Sequence, residues 1–288
     1  MNRTILHEAK EVAVNAAQAA GAIIKRRFDT MYKVDEKGDA GDVVTEADYE
    51  AEQAIVEAIE RKFPDHRIFS EEAGQLGQDS DWLWLVDPLD GTNNYVIGLP
   101  VFAVSITLMY REEPVLGVIY EPMPDRLYVA VKGEGMTLNG EPVRMRRHER
   151  ELQRATAGWI QGHAVGHEQT AVQLRQKLDQ SCKRMLRLWA PTLVWCMLAR
   201  GMIDAIVLYN SEGEDLYSGV LMVQEAGGQV MDFQGRPFRT MCREPYLIAC
   251  SPEAGEPWLE LVRQGMQEQE ASGTEAPCHR RYDLNVKG

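Results

Sequence analysis

The sequence of 288 residues has no long apolar run and little positive charge. No stretch approaches the roughly 20 consecutive apolar residues that a membrane-spanning helix needs. Lysine and arginine number 31 against 44 acidic residues, so the formal net charge is −13. This balance argues against nucleic acid and anionic membranes as partners, because both repel a strongly negative protein.

Cysteine is also scarce: the five cysteines are scattered and none forms a C-x-x-C motif. An odd number of isolated cysteines in a long chain indicates free thiols in a reducing compartment rather than a disulfide framework. The first ten residues are polar and lack the apolar core of a secretory signal peptide. We therefore expect a cytoplasmic protein.

The apolar spacing of the first half predicts two long helices and then strands. Helices are expected over 4–28 and 47–63, separated by a polar loop that contains KVDEKGDAGD. A strand begins at Trp82, a hairpin is expected over 102–120, and Asn139-Gly140 is a strong turn signal. Trp82, Trp84, Trp189 and Trp195 are expected in the core.

The second half alternates between strands and helices. Strands are predicted over 156–160, 185–188 and 205–209, near 230 and over 246–249, and helices over 169–178, 193–200, 216–226 and 255–268. This pattern predicts a layered α/β sandwich. We expect a single domain over 1–270, with a front half 1–150 and a back half 151–270, followed by a flexible tail over 271–288.

The segment WLWLVDPLDGTNNYV, residues 82–96, combines a buried strand with two carboxylates. Asp87 and Asp90 are three residues apart across a turn that contains a proline and a glycine, so their side chains can converge. Two carboxylates held close together repel each other unless a cation lies between them. A simpler alternative is that Asp90 caps a short helix that begins near Thr92.

Three further acidic clusters lie at the edges of predicted elements. Glu71 and Glu72 follow a short apolar stretch, Asp48 begins the second helix, and Asp215 precedes a helix near residue 216. Each has a plain alternative: an exposed pair of glutamates, a capping box in which Thr45 and Asp48 cap each other, and a helix cap.

Taken together, the four acidic clusters favour one oxygen-rich site that holds two or three Mg²⁺ ions, because hard cations prefer carboxylate oxygen. Such sites hydrolyse phosphate esters by activating water and neutralising phosphate charge. The backbone N–H groups of Gly91 and Thr92, at a helix start, are positioned to hold the phosphate.

The chain resembles the inositol monophosphatase family, within the superfamily of Mg²⁺-dependent, lithium-sensitive phosphatases. The matching segments run in the family's order to about residue 250, and the most specific is DPLDGT: DVVTEAD (42–48), SEEAG (70–74), WLVDPLDGTNNYVIGLPVFAVSITL (84–108), GMIDAIV (201–207) and EDLYSGVLMVQEAGGQVMD (214–232). The resemblance implies a five-layer αβαβα sandwich, a homodimer, and a small phosphorylated metabolite as substrate.

The resemblance also implies two sets of metal ligands. The first metal would be bound by Glu71, Asp87 and the Leu89 carbonyl, and the second by Asp87, Asp90 and Asp215. Asp90 would also take part in catalysis, and Asp215 would contact the substrate.

The remaining implied roles concern water, phosphate and a third ion. Thr92, with Glu71, would orient the attacking water, and the backbone of Gly91 and Thr92 would hold the phosphate. Glu72 and Asp48 lie where the family binds a third, weaker metal.

Two departures from the family pattern lie on the substrate side. Glu214 stands where the family has tryptophan, and Trp189-Ala190-Pro191 stands where it has a Gly-Ser/Thr-Ala stretch. The expected substrate is therefore a small polyol or sugar phosphate such as inositol monophosphate, with fructose-1,6-bisphosphate, NADP or a nucleotide 3′-phosphate as alternatives. A non-catalytic binding or regulatory role on the same fold is the remaining alternative.

Overall fold

A computed structural model of the chain describes residues 3–28, 30, 34–37, 42–146, 151–162, 165, 167–211, 213–242 and 245–267. The predicted tail over 271–288 lies outside these residues. The helices of the described residues are α1 (Arg3–Arg27), α2 (Glu46–Lys62), α3 (Thr92–Val96), α4 (Gln169–Ser181), α5 (Pro191–Ala199), α6 (Leu216–Glu225) and α7 (Gly255–Gln267). None of them is long and apolar enough to cross a membrane.

The strands fall into a hairpin and two sheets. They are β1 (Val34–Lys37), β2 (Asp42–Thr45), β3 (Arg67–Ser70), β4 (Gly74–Leu76), β5 (Trp82–Asp90), β6 (Ala103–Tyr110), β7 (Glu113–Glu121), β8 (Arg126–Val131), β9 (Gly135–Leu138), β10 (Glu141–Val143), β11 (Thr156–Gln161), β12 (Arg184–Leu186), β13 (Ala205–Tyr209), β14 (Gln229–Asp232) and β15 (Tyr246–Cys250). The larger sheet has the order β10-β9-β8-β7-β6-β5-β3-β4, and the smaller has the order β12-β11-β13-β15-β14.

The two sheets are separated and covered by helices, which gives the expected αβαβα layers. One buried cluster joins α1 and α2 to the larger sheet, a second joins both sheets through α5 and α6, and a third joins α4 and α7 to the smaller sheet. Small residues make the close contacts possible. Added to Gly117 of β7, a Cβ would lie 3.1 Å from Cα of Ser218 on α6.

The long periodic helices and the hairpin turn were predicted correctly, and two local expectations were wrong. The segment around KVDEKGDAGD contains two paired strands, in which Val34 lies opposite Thr45, rather than only loop. Trp189 is 60% exposed and is not a core residue, whereas Trp84 and Trp195 are fully buried.

Candidate active site

The acidic residues of the larger sheet are brought together by a parallel pair of strands. β3 pairs with β5 in parallel, and the N–H of Glu71 donates to the carbonyl of Val86 at 3.1 Å. Glu71 therefore lies beside Asp87. The pairing between β5 and β6 shifts register between Asp87 and Asp90, so this part of the strand is bulged. Bulges re-aim side chains, and this one lies where both carboxylates line a cavity.

Asp87 and Asp90 are held by different hydrogen bonds. Asp87 accepts from the N–H of Leu89 at 3.0 Å. Asp90 does not cap the following helix, which corrects the simpler alternative. Its Oδ2 instead accepts from both the N–H of Thr192, at 2.8 Å, and the Thr192 hydroxyl on α5. Gly91 occupies the cap position of α3.

Gly91 is required by its surroundings as well as by its backbone angle. Its φ of +101° lies in a region that L side chains rarely adopt, and an added Cβ would lie 2.9 Å from the carbonyl oxygen of Val101. The same Cβ would be 3.2 Å from that of Ala190. The turn after the two aspartates is therefore packed directly against the start of α5.

Asp215 comes from the central helical layer. It occupies the cap position of α6, as the plain alternative predicted, but its side chain makes no capping hydrogen bond. The Ser218 hydroxyl donates to the Asp215 carbonyl at 3.1 Å and lies 2.8 Å from the hydroxyl of Ser105 on β6. Because Ser105 is opposite Asp87 in the sheet, this link fixes the start of α6 relative to β5.

Thr92 and Asp48 form a buried polar unit next to these acids. The Thr92 hydroxyl lies 3.1 Å from Oδ1 of Asp48 and 2.9 Å from the carbonyl oxygen of Leu89. The expected capping box is present, since Oδ2 of Asp48 accepts from the N–H and the hydroxyl of Thr45. Burial, offset in part by these bonds, raises the pKa of Asp48 to about 6.

One cavity of about 430 Å³ collects most of the predicted site residues. This volume suits a small-molecule ligand. Neither Asp48 nor Glu72 lies on its wall, whereas Glu214 and the departure at Trp189 and Pro191 do. The predicted site residues that line it are Glu71, Asp87, Leu89, Asp90, Gly91, Thr92 and Asp215.

The electrostatics of the cavity are those of buried like charges. Burial, together with the charges of Glu71 and Asp90 and Asp215, raises the pKa of Asp87 well above its usual range. Burial likewise raises the pKa of Asp90 to about 7 and that of Asp215 to about 8. In the described part of the chain, none of these three aspartates forms a salt bridge. Within the described ranges, hydrogen bonds such as those from Thr192 to Asp90 offset part of their repulsion, and no ion pair does.

The carboxylates share the cavity without closing around one point. Within the described ranges, no group of three or more Asp, Glu, His or Cys side chains is already arranged to hold a metal ion. Mutual repulsion accounts for such separation. The donor set itself consists of carboxylate and carbonyl oxygens, which is the chemistry that a hard divalent cation prefers.

Glu52 is a site residue that the sequence reasoning missed. It is 6% exposed on α2, and its Oε1 accepts from the N–H groups of Glu72 and Ala73, at 2.9 and 3.1 Å, and from the Ser70 hydroxyl. These bonds fix the turn that carries Glu71. The available signal was spacing, because Glu52 follows Asp48 by four residues and precedes Ile55 and Ile59 on the buried face of α2.

We expect Glu52→Ala to weaken Mg²⁺ binding by roughly 10- to 100-fold, the usual effect of losing a group that orients a metal ligand. The substitution removes the acceptor of three donors near Glu71. Glu52→Gln, which keeps an acceptor oxygen, should lose less. The measurement is a calorimetric Mg²⁺ titration, with the exposed Glu60→Ala on the same helix as the control. Unchanged Mg²⁺ affinity in Glu52→Ala would contradict this role.

Comparison with known proteins shows the family of the chain. The family model for the inositol monophosphatase family matches residues 5–267. The chain belongs to the inositol monophosphatase family. Among solved structures, the extragenic suppressor protein suhB from Bartonella henselae has a TM-score of 0.82 and 31% identity, and the match covers 90% of this chain and 99% of that one.

Members of the inositol monophosphatase family with different names match almost equally well. A protein of Pasteurella multocida named Nus factor SuhB is 34% identical over 88% of this chain and 94% of its own length. A protein of Aquifex aeolicus named fructose-1,6-bisphosphatase/inositol-1-monophosphatase is also 34% identical, over 79% of this chain and 86% of its own length. The fold is thus shared by relatives that carry an enzyme name and a factor name.

Proposed function

We propose that this chain is a Mg²⁺-dependent phosphomonoesterase that hydrolyses a small polyol or sugar phosphate such as inositol monophosphate. The observation that carries the proposal is the convergence of Glu71, Asp87, Asp90 and Asp215 on one cavity, in a member of a phosphatase family. Asp87 and Asp90 are buried and Asp215 is partly buried, and none of the three has a basic partner among the described residues. Such an arrangement is unfavourable unless a cation is bound.

The donor set supports Mg²⁺ in particular. Carboxylate oxygens and the Leu89 carbonyl are hard ligands, and no cysteine or histidine lines the described cavity wall. A bound cation would offset the repulsion between the carboxylates and draw them together. When bound, Mg²⁺ supplies neutralisation of the phosphate charge and activation of water.

The chain's own residues then have distinct tasks. Thr192 keeps Asp90 in place through two hydrogen bonds, and Thr92, with Glu71, orients the attacking water. The N–H groups of Gly91 and Thr92 hold the phosphate at the cavity wall. Asp48 and Glu72, which lie outside that wall, remain proposed ligands of a third, weaker ion.

The proposal is tested by phosphate release with Mg²⁺ from inositol-1-phosphate, fructose-1,6-bisphosphate, NADP and 3′-phosphoadenosine-5′-phosphate. We expect Mg²⁺-dependent turnover of one sugar or polyol phosphate, and loss of turnover when the metal is chelated. Turnover that survives chelation would refute the metal-dependent mechanism. Faster turnover of either nucleotide would support the metal-dependent phosphatase mechanism and show that the substrate is a nucleotide rather than a polyol or sugar phosphate.

A second candidate is a binding or regulatory role, which the relative named Nus factor favours. The retained set of Glu71, Asp87, Asp90 and Asp215 argues against a purely non-catalytic protein, because a binding module has little use for four acids that line one cavity. Mg²⁺ binding with no turnover of any phosphate ester in the panel would favour this second role.

A further inference from the structure

The part of the cavity wall that comes from the smaller sheet carries one arginine. Arg187 follows β12 of the smaller sheet, whereas Glu71, Asp87 and Asp90 come from the larger sheet, and all four line the same cavity. Among the residues that form this wall, Arg187 is the only basic one in the part of the chain described. The cavity therefore has an acidic region and a separate cationic group.

Arg187 is exposed to solvent and has no protein partner among the described residues. In the described residues it makes no hydrogen bond or ion pair, although the protein carries an excess of acidic residues. Partial burial and the nearby charge of Arg175 lower the pKa of Arg187. Arg175 itself donates to Oε1 of Gln161, which also lines the cavity. Two guanidinium groups are thus held near one wall.

The segment beside Arg187 is fixed rather than loose. Asn94 donates from Nδ2 to the Leu188 carbonyl at 2.6 Å and to the Val101 carbonyl at 2.8 Å. Trp189 adopts φ +51°, an uncommon angle for a bulky residue, and lines the cavity while 60% exposed. Thr192, three residues later, holds Asp90. The arginine and the exposed indole are therefore tied to the acidic cluster by short connections.

We propose that Arg187 and Trp189 form a subsite for a second oxyanion of the substrate, with the indole against the substrate's carbon skeleton. The inference rests on the proposed phosphatase function and predicts that, among its substrates, phosphate esters that carry another phosphate or a carboxylate are preferred over inositol monophosphate. A guanidinium binds either oxyanion through a pair of hydrogen bonds, which an isolated cation such as lysine does not reproduce.

The test compares substrates with and without a second oxyanion. Fructose-1,6-bisphosphate supplies a second phosphate, 3-phosphoglycerate supplies a carboxylate, and inositol-1-phosphate supplies neither. We expect Arg187→Gln to lower kcat/KM for one or both of the compounds with two oxyanion groups by about 10- to 100-fold, mainly through KM. The value for inositol-1-phosphate should change less than about threefold, and Arg187→Lys should recover only part of the loss.

Arg184→Gln is the matched control, since Arg184 is exposed on the same segment and does not line the cavity. It should leave all three substrates unchanged. Equal effects of Arg187→Gln on substrates with one and with two oxyanion groups, or no effect on either, would overturn the subsite.

Equilibrium binding separates failure of the subsite from failure of the phosphatase proposal. The same three compounds are titrated calorimetrically with Ca²⁺ in place of Mg²⁺. Arg187-dependent binding of a compound with two oxyanion groups, without hydrolysis under any condition, would support the subsite and refute the phosphatase function. Absence of any Arg187-dependent binding would refute the subsite whether or not hydrolysis occurs.

Discussion

Asp90→Asn should abolish Mg²⁺-dependent phosphate release and at the same time stabilise the metal-free protein. Asparagine keeps an oxygen that can accept from the N–H and hydroxyl of Thr192, so the local geometry should persist. The substitution removes one charge of the proposed metal site. A bound metal contributes several kcal/mol of electrostatic stabilisation to the transition state, and each ~1.4 kcal/mol corresponds to a tenfold change in rate. We expect a loss of about a thousandfold.

The stabilising half of this prediction follows from the burial of Asp90. Its pKa is raised to about 7 because burial disfavours the ionised form in the cavity, and the charge of Glu71 adds to that cost. A neutral side chain removes the cost when no cation is present. The midpoint of thermal unfolding in a chelator should therefore rise by a few degrees.

The exposed Asp65→Asn serves as a control, because it removes one aspartate charge far from the cavity wall. It should change neither activity nor thermal midpoint appreciably. An Asp90→Asn protein that keeps a tenth of the wild-type activity would remove Asp90 from the proposed site. A fall in its metal-free stability would show instead that the carboxylate is compensated by a partner.

The sequence predicted those elements in which buried residues recur with the period of a helix or a strand. α1 shows this, since small alanines recur on its buried face from Ala9 to Ala20. The strands at 34–45 lack such a pattern, because charged residues occupy VDEK and no face is apolar. Their pairing depends on backbone hydrogen bonds between residues that local hydrophobicity does not distinguish from a loop.

The candidate site likewise contains residues that the local sequence predicts and residues that it does not. The carboxylates that line the cavity were singled out from sequence, because acidic residues at the ends of apolar strands have few structural uses, and their role as metal ligands stays a prediction. The residues that hold these side chains in place were not identified from sequence, because each lies far along the chain from its partner. Thr192 is 102 residues from Asp90, and Ser218 is 113 residues from Ser105. A residue that acts through a neighbour in space leaves no signature of its own in a single sequence.

Mg²⁺ should raise the thermal midpoint of the protein much more at about pH 8.5 than at about pH 5.5. Burial raises the pKa of Asp90 to about 7 and that of Asp215 to about 8, well above the ~3.9 of an unfolded aspartate. The folded, metal-free protein therefore binds more protons than the unfolded chain between about pH 4 and pH 8. Its stability must fall as the pH rises through that window.

The stabilisation by Mg²⁺ depends on pH in the opposite direction and increases as the pH rises. At pH 8.5 Asp90 and most of Asp215 are ionised in the folded protein, so Mg²⁺ offsets repulsion that is largely present. Near pH 5.5 Asp90 and Asp215 hold protons that the cation must displace, which weakens binding and reduces the shift. Thermal unfolding with chelator and with saturating Mg²⁺, at both pH values, measures the difference directly.

Asp90→Asn should reduce the difference between the two pH values, since one of the two titrating groups is gone and the cation loses a ligand. An equal Mg²⁺ shift at both pH values would mean that the buried aspartates do not bind the cation. Metal-free stability that rises between pH 5.5 and pH 8.5 would require these carboxylates to be stabilised in their ionised form by the protein. Either result would contradict the metal chemistry proposed for the acidic cavity, because that chemistry requires a bound cation to offset the repulsion between the carboxylates.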